Sequence, residues 1–320
     1  SQMDRNKVPI FEAGIRAMAC TNCQSVTKLK LQDDQMRCRD CNATYKIIDG
    51  VLDIMPPSYS GYQGDSMEAA ALRDAHNRQA LREDTTRLRS AFDQLLRPKG
   101  LVLDAGCGTG HLARIISESH PDMTIIATDV SLPMCRLAAK NCRGHPVMVV
   151  RTPTSKIPPM PFRNSVFDIV LTRLAPMDPV ESFRLLRSGG YAVDAGLVGA
   201  HWQEIRQVYP KDRLITFPRD LDSKEALIRA GFSEAESHSW RFTKTRSLKE
   251  IIMVIRYAPV LRDFDETADR PFLSKLEDLY GDKDGIRLTE GESLTIGRKD
   301  DFSRPNSFST NPALRSATRR

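Results

Sequence analysis

Between residue 100 and about residue 198, short apolar runs alternate with stretches of helical periodicity. "LVLDAG", "MTIIATD", "PVMVVRT", "FDIVLTRL" and "GGYAVDAGLV" read as strands, and most of the gaps between them carry apolar positions at helical spacing. That alternation predicts an α/β domain with a mostly parallel sheet wrapped by helices. Residues 18–55 read differently: "VTKLKL" alternates, "DDQ" supplies a turn, and "TYKIIDGVLDIM" carries strand and turn signals. "PPSYSGYQGD" is a Pro/Gly/Ser linker, and residues 67–96 have the periodicity of a helix. Residues 201–272 are mixed and read as the end of the same domain, and from residue 281 the aliphatic and aromatic density falls. The division expected is an N-terminal extension at 1–17, a small strand-rich unit at 18–55, a linker at 56–66, the main domain at 67–280 and a basic extension at 281–320.

With 320 residues, 40% hydrophobic and 28% charged, the chain has the composition of a soluble globular protein with a sizeable core. It holds no uncharged apolar run of transmembrane length, so no membrane partner is expected. It opens on Ser1 rather than Met, which leaves room for a removed leader. The formal charge of +6 favours a polyanionic partner. Two features sharpen that. The predicted helix carries Arg73, Arg78, Arg82, Arg87 and Arg89, which is either a solvated face or a groove for phosphates. The last eighteen residues hold four Arg and no acid, a composition that by itself predicts disorder.

Cys20, Cys23, Cys38 and Cys41 form two C-x-x-C pairs separated by fourteen residues, the spacing of a Cys₄ zinc ribbon. Each pair turns tightly enough to aim two thiolates at one point, and four thiolates close a tetrahedron with no position left for water. A Zn²⁺ held this way is structural, and it would fold a unit too small to bury a core unaided. Cys107, Cys135 and Cys142 stand outside any such pattern, so the cysteines fit metal binding in a reducing compartment better than a disulfide framework.

"VLDAGCGTG" is a glycine turn after a strand, ambiguous between a dinucleotide and S-adenosylmethionine. Asp104 precedes Gly106 closely, putting a carboxylate at the strand tip, where it can accept from a cationic amino group; Gly108 and Gly110 complete the turn. Asp129, in "IIATDVS", ends the next strand and can accept from both ribose hydroxyls. Those two carboxylates favour S-adenosylmethionine, and without a following P-loop Lys-Ser/Thr a triphosphate is disfavoured.

"VLDAGCGTG" with "TDVS" resembles the class I, Rossmann-like methyltransferases. The four-cysteine unit followed by "DAHNRQALR", "LPMCRLAAK", "MPFRNSVFDIVLTRLAP", "LLRSGGYAV" and "HWQEIRQVYP" resembles, in that order over residues 18–260, the bacterial large-subunit ribosomal RNA (guanine-N1) methyltransferases. The resemblance implies a class I methyltransferase with a small N-terminal zinc ribbon, using S-adenosylmethionine and Zn²⁺ to methylate guanine N1. It also implies ribosomal RNA, in a large-subunit precursor with its proteins, as the partner, with no DNA. The fourth zinc ligand of that family is typically a His, where this chain has Cys41, and the acid many class I enzymes place after the third strand is replaced by Arg151 and Thr152. The segment beyond residue 281 has no counterpart there and is more typical of an organellar homologue, which points to the mitochondrial matrix, with a bacterial cytoplasm as the alternative. For transfer to N1 a proton must leave, and Arg173 and Asp178, after the fourth strand, are the candidate catalytic pair; the alternative for both is a surface ion pair. Two other functions compete: a ribosome-assembly factor that keeps the fold but is catalytically silent, and a small-molecule methyltransferase.

Overall fold

The computed structural model describes residues 5–95, 99–154, 159–215 and 223–300. The chain opens with α1 (Val8–Ile15) and then four short strands: β1 (Leu29–Gln32), β2 (Gln35–Cys38), β3 (Thr44–Ile48) and β4 (Val51–Asp53). Two helices follow, α2 (Met67–Asp84) and α3 (Thr86–Leu95). The alternating region is β5 (Leu101–Ala105), α4 (His111–Ser119), β6 (Thr124–Asp129), α5 (Leu132–Asn141), β7 (Val147–Arg151), β8 (Phe167–Arg173), α6 (Pro179–Leu185) and β9 (Leu186–Leu197). Then come α7 (Gln203–Val208), α8 (Ser223–Arg229), β10 (Glu234–Arg246), α9 (Leu248–Tyr257), α10 (Arg270–Tyr280), β11 (Gly281–Asp282) and β12 (Gly285–Arg298).

The main sheet runs β7-β6-β5-β8-β9-β12-β10. Pairing is parallel from β7 through β9, and β12 is antiparallel to both of its neighbours. The first five strands have the 3-2-1-4-5 order of a doubly wound sheet, whose direction of winding reverses between β5 and β8. Central strands covered on both faces should be apolar on both. In β5 they are: Leu103 packs with Ile126, Met148 and Phe167 on one side, and Val102 with Leu112, Ile116 and Ala127 on the other. The helices begin where their caps dictate. Ser131 accepts from the Met134 amide at 3.2 Å to start α5, and Ser247 accepts from the Glu250 amide at 3.1 Å to start α9.

Three expected boundaries move. Residues 281–298 are no appendage, because β12 fills the slot between β9 and β10 and pairs with β10 from Glu234↔Arg298 to Arg246↔Ile286. Its buried Ile286, Leu288, Leu294 and Ile296 are interleaved with Thr, Glu, Ser and Gly, which is what thinned the apolar density. The N-terminal segment is no extension either: Phe11 and Ile15 of α1 lie in the core with Met148, and Lys7 Nζ donates to the carbonyls of Cys142, His145 and Val147 at 3.0, 3.2 and 3.3 Å. The cysteine-bearing unit shares that core through Met18, Met36 and Cys38, and its last strand, β4, pairs in parallel with β7 from Val51↔Val149 to Asp53↔Arg151. The basic tail, residues 303–320, lies outside the described residues.

Candidate functional site

The glycine turn leaves the C-terminal end of β5 at the sheet's reversal point, the usual crevice for a ligand in such folds. The amides of Gly106 and Cys107 both donate to the Thr128 carbonyl at 2.8 Å, which fixes the turn to the end of β6. Gly106, Gly108 and Gly110 all have positive φ, at 82°, 55° and 78°. Their surroundings differ. A Cβ on Gly110 would come within 2.8 Å of the Ala138 backbone, so that glycine lets α5 pack closely. A Cβ on Gly108 would meet only Arg73 Cδ, at 3.8 Å, so that glycine faces open space.

The two expected anchoring carboxylates stand on either side of the turn. Asp129 holds it: Oδ2 accepts from the Gly108 amide and Oδ1 from the Ser131 amide, each at 2.9 Å. A carboxylate has about four acceptor positions, so lone pairs remain for ribose hydroxyls. Asp104 is 2% exposed, and its Oδ2 is buried with no hydrogen-bond partner among the described residues. Burial, reinforced by the nearby charge of Asp129 and opposed by Arg173, pushes the Asp104 carboxyl up to about 7. An orphaned buried carboxylate oxygen is costly unless something arrives to satisfy it. A cationic amino group such as that of S-adenosylmethionine fits the requirement.

Residues 59–65 close the β6 side. Ser131 Oγ donates to the Asp65 carbonyl at 3.0 Å, and at Gly64 (φ 89°) a Cβ would sit 2.6 Å from Ser131 Cα. Arg151, standing where an acid was expected, donates to the Val130 carbonyl and to Asp53 Oδ2, each at 3.1 Å. It is therefore an anchor for the end of β7.

The arginine series does not form a common outward face. Arg78 pairs with Asp74 at 2.6 Å, Arg82 with Glu118 at 2.7 Å and Arg87 with Glu292 at 3.2 Å, while Arg89 donates to the Arg82 carbonyl at 2.7 Å. Arg73 points inward, its guanidinium 4.8 Å from the centroid of the Tyr257 ring and its Nε buried without a hydrogen-bond partner. "DAHNRQALR" belongs to the same inward face. Asp74 Oδ1 lies 2.8 Å from His111 Nε2 and accepts from Asn141 Nδ2 at 2.8 Å, and Asn77 donates to Thr109 Oγ1 at 3.2 Å. This face of α2 locks onto the glycine turn and the helices after β5 and β6.

Arg173 and Asp178, the two residues expected to be catalytic, form no ion pair with each other among the described residues. Arg173 ends β8, half-buried, and its side chain makes no hydrogen bond or ion pair with any described residue; burial lowers its pKa. Asp178 is the N-cap of α6, its Oδ1 accepting from the Glu181 amide at 3.0 Å. The "DPVE" string could have told this from sequence, because Asp, then Pro at the first helical position, then Glu at the third is an N-terminus signature. Sequence reasoning missed Tyr257. Its hydroxyl is 2.5 Å from His76 Nδ1, whose Nε2 is 3.3 Å from Glu250 Oε1, so the phenol is fixed between α2 and α9. No local pattern joins residues so far apart in the chain.

In the cysteine-bearing unit the four thiol sulfurs lie within 4.8 Å of one another, with Cys20 and Cys41 at 3.7 Å and Cys23 and Cys38 at 3.6 Å. The two turns share one form. The Gln24 amide donates to the Cys20 carbonyl and the Asn42 amide to the Cys38 carbonyl, both at 2.9 Å, with φ of 64° at Gln24 and 62° at Asn42. A tetrahedral zinc with bonds of about 2.3 Å needs sulfurs about 3.8 Å apart.

Compared with known proteins, residues 102–190 match the family described as methyltransferase domain. The match covers 89 of the 320 residues and likens that segment to methyltransferase domains. A malonyl-[acyl-carrier protein] O-methyltransferase of Herminiimonas arsenicoxydans is 26% identical over 170 residues, covering 50% of this chain and 63% of that protein. One from Salmonella typhimurium is 31% identical over 115 residues, covering 34% of this chain and 43% of that protein. The chain thus spans less than two thirds of the length of these relatives. The YcgJ protein of Bacillus subtilis is 16% identical, with a TM-score of 0.47 over 66% of this chain and 98% of that one. The curated relatives name a different acceptor from the ribosomal RNA expected above.

Proposed function

We propose that the protein is an S-adenosylmethionine-dependent methyltransferase acting on a small molecule, with its N-terminal unit closed around one zinc ion. The observation that carries the cofactor assignment is the buried, unpartnered oxygen of Asp104 beside the open face of Gly108. Asp104 would take the cofactor's ammonium and Asp129 its ribose hydroxyls. Arg73, whose stem borders Gly108, would take the carboxylate of the methionine part. When bound, the cofactor supplies an electrophilic methyl group, and the protein's task is to hold the acceptor in line with it. The four cysteines offer zinc a closed ligand set with no position for a substrate, which suits a structural role.

A small acceptor is favoured because the arginines that would line a phosphate groove are already matched: Arg78, Arg82 and Arg87 each have a carboxylate partner. Ribosomal RNA is the second reading, favoured by the four-thiol ribbon ahead of the domain and the net charge of +6. Calorimetry with S-adenosylhomocysteine tests the cofactor assignment. Wild-type protein should bind it, and Asp104→Asn should lose about 1.5–3 kcal/mol, the range for a hydrogen bond to a charged group. A wild-type protein that takes up a nicotinamide dinucleotide and not this ligand would sink the assignment.

A further inference from the structure

We infer that Tyr257, His76 and Glu250 form a proton relay at the edge of the cofactor cleft, and that it takes a proton from an O–H or N–H group of the methyl acceptor. The inference rests on the cofactor assignment above and starts from which atoms of the three side chains meet. Tyr257 ends α9 and His76 lies on α2, with the phenol oxygen 2.5 Å from His76 Nδ1. Across the imidazole, His76 Nε2 is 3.3 Å from Glu250 Oε1. Glu250 is itself fixed twice: its amide donates to Ser247 Oγ at 3.1 Å, and its Oε1 accepts from Arg246 Nη1. The unit borders the cleft through Arg73, one turn before His76 on α2. The Arg73 guanidinium is 4.8 Å from the centroid of the Tyr257 ring, and its Cδ is 3.8 Å from where a Cβ on Gly108 would stand.

Hydrogen-bond chemistry fixes where the protons are. His76 and Arg246 hold the Glu250 carboxyl below the usual carboxylate range, so at neutral pH it is ionised and can only accept. His76 Nε2 must then carry a proton. In the neutral ring Nδ1 is left as an acceptor, and the Tyr257 hydroxyl donates to it. That hydroxyl makes no other hydrogen bond among the described residues, so its oxygen keeps lone pairs free to accept. A hydroxyl on an imidazole that a carboxylate orients is the arrangement by which proteins activate an oxygen.

Asp178, the acid expected to remove a proton, is spent as a helix cap. The Tyr257 unit takes over that task. Burial pushes the phenol up to about 12, so at neutral pH it keeps its proton until another replaces it. The acceptor's proton passes to the phenol oxygen while the phenol's own proton passes to His76 Nδ1, and no phenolate forms. The lone pair left on the acceptor's oxygen or nitrogen forms the new bond to the methyl carbon, and sulfur keeps the electron pair of the broken C–S bond. The products are the methylated acceptor, a neutral thioether and an imidazolium at His76 beside Glu250, which then loses its proton to water. A carboxylate acceptor has no proton to give and would leave the relay idle.

Benzenesulfonyl fluoride tests the relay, because a phenol attacks it quickly only when a base relieves it of its proton. Peptide mapping should show Tyr257 labelled at least tenfold faster than the other six tyrosines. His76→Gln and Glu250→Gln keep hydrogen-bonding groups but lose the base or its charge. Each should slow labelling at least tenfold and leave the affinity for S-adenosylhomocysteine within twofold of wild type, which also shows that the variants fold; a merely structural tie would not move the labelling. Phenol and benzoate, titrated into protein saturated with S-adenosylhomocysteine, read the acceptor class. Phenol should bind at least tenfold more tightly, and Tyr257→Phe should erase the preference. Labelling of Tyr257 no faster than of the other tyrosines, labelling that survives both variants, or benzoate binding as tightly as phenol would overturn the inference. Failure of the wild type to bind S-adenosylhomocysteine would instead bring down the cofactor assignment, a separate result, since the labelling needs no cofactor.

Discussion

Asp74 Oδ1, on α2, and His111 Nε2, in the first turn of α4, lie 2.8 Å apart and both side chains are buried. The same oxygen accepts from Asn141 at the end of α5, and Asp74 Oδ2 accepts from Arg78 at 2.6 Å. One carboxylate thus ties three helices together behind the glycine turn. Removing it leaves buried donors without an acceptor, a loss that costs about 1–3 kcal/mol for each such group. Asp74→Ala should lower the urea midpoint accordingly and should weaken S-adenosylhomocysteine binding as well, because Asn141 also holds the Thr109 carbonyl at 2.8 Å. A variant with wild-type stability would show the tie to be incidental.

Gly108 and Gly110 should respond oppositely to alanine. Both positive φ values cost an L-residue about 1–2 kcal/mol. Beyond that, Gly110→Ala forces a methyl group to within 2.8 Å of the Ala138 backbone and should destabilise the fold severely. Gly108→Ala meets open space within the protein, so melting should fall only slightly while cofactor affinity drops at least tenfold. Thermal melts and calorimetry on the two variants check this, and equal melting losses would contradict it.

The raised pKa of Asp104 has a sign that can be tested. Its carboxyl holds its proton up to about 7 in the folded state, against the ordinary carboxylate range near 4 in the unfolded chain. Between those values the folded state binds the extra proton, so this group's contribution to stability falls as pH rises from about 4 to 7 and is flat above. Asp104→Asn should remove that fall and leave the ligand-free protein more stable than wild type at pH 8. Binding of an ammonium group requires the ionised carboxylate, so cofactor affinity in the wild type should rise across the same window. A pH-independent difference between the two proteins would refute the assignment of the shift to Asp104.

Metal analysis should find about one zinc per chain, and Cys38→Ser should release it. The loss should not stay within the cysteine-bearing unit, because Cys38 and Met36 share a core with Leu103, Ile126 and Met148. One cooperative unfolding transition at lower temperature is expected for the variant. Two separate transitions, the later one unchanged from wild type, would show the unit to be independent.

The parallel sheet, the glycine turn with its two carboxylates and the converging cysteines were legible along the chain. Each is written in neighbouring residues: an apolar run long enough for a strand covered on both faces, a turn that needs positive φ, and thiols whose spacing sets where they point. Asp178 was legible too, as a cap. Other features depended on which distant residues meet. β12 reads as a polar tail until β9 and β10 take up its backbone groups on both sides. Arg73 is one arginine among five until α2 turns it onto Tyr257, while Arg78, Arg82 and Arg87 each find a carboxylate partner. That the Arg173 side chain has no ion-pair partner among the described residues was unreadable in principle. Its charge is a property of the residue, but whether a charge is matched depends on what folding brings within about 4 Å of it, and no spacing along the chain records that.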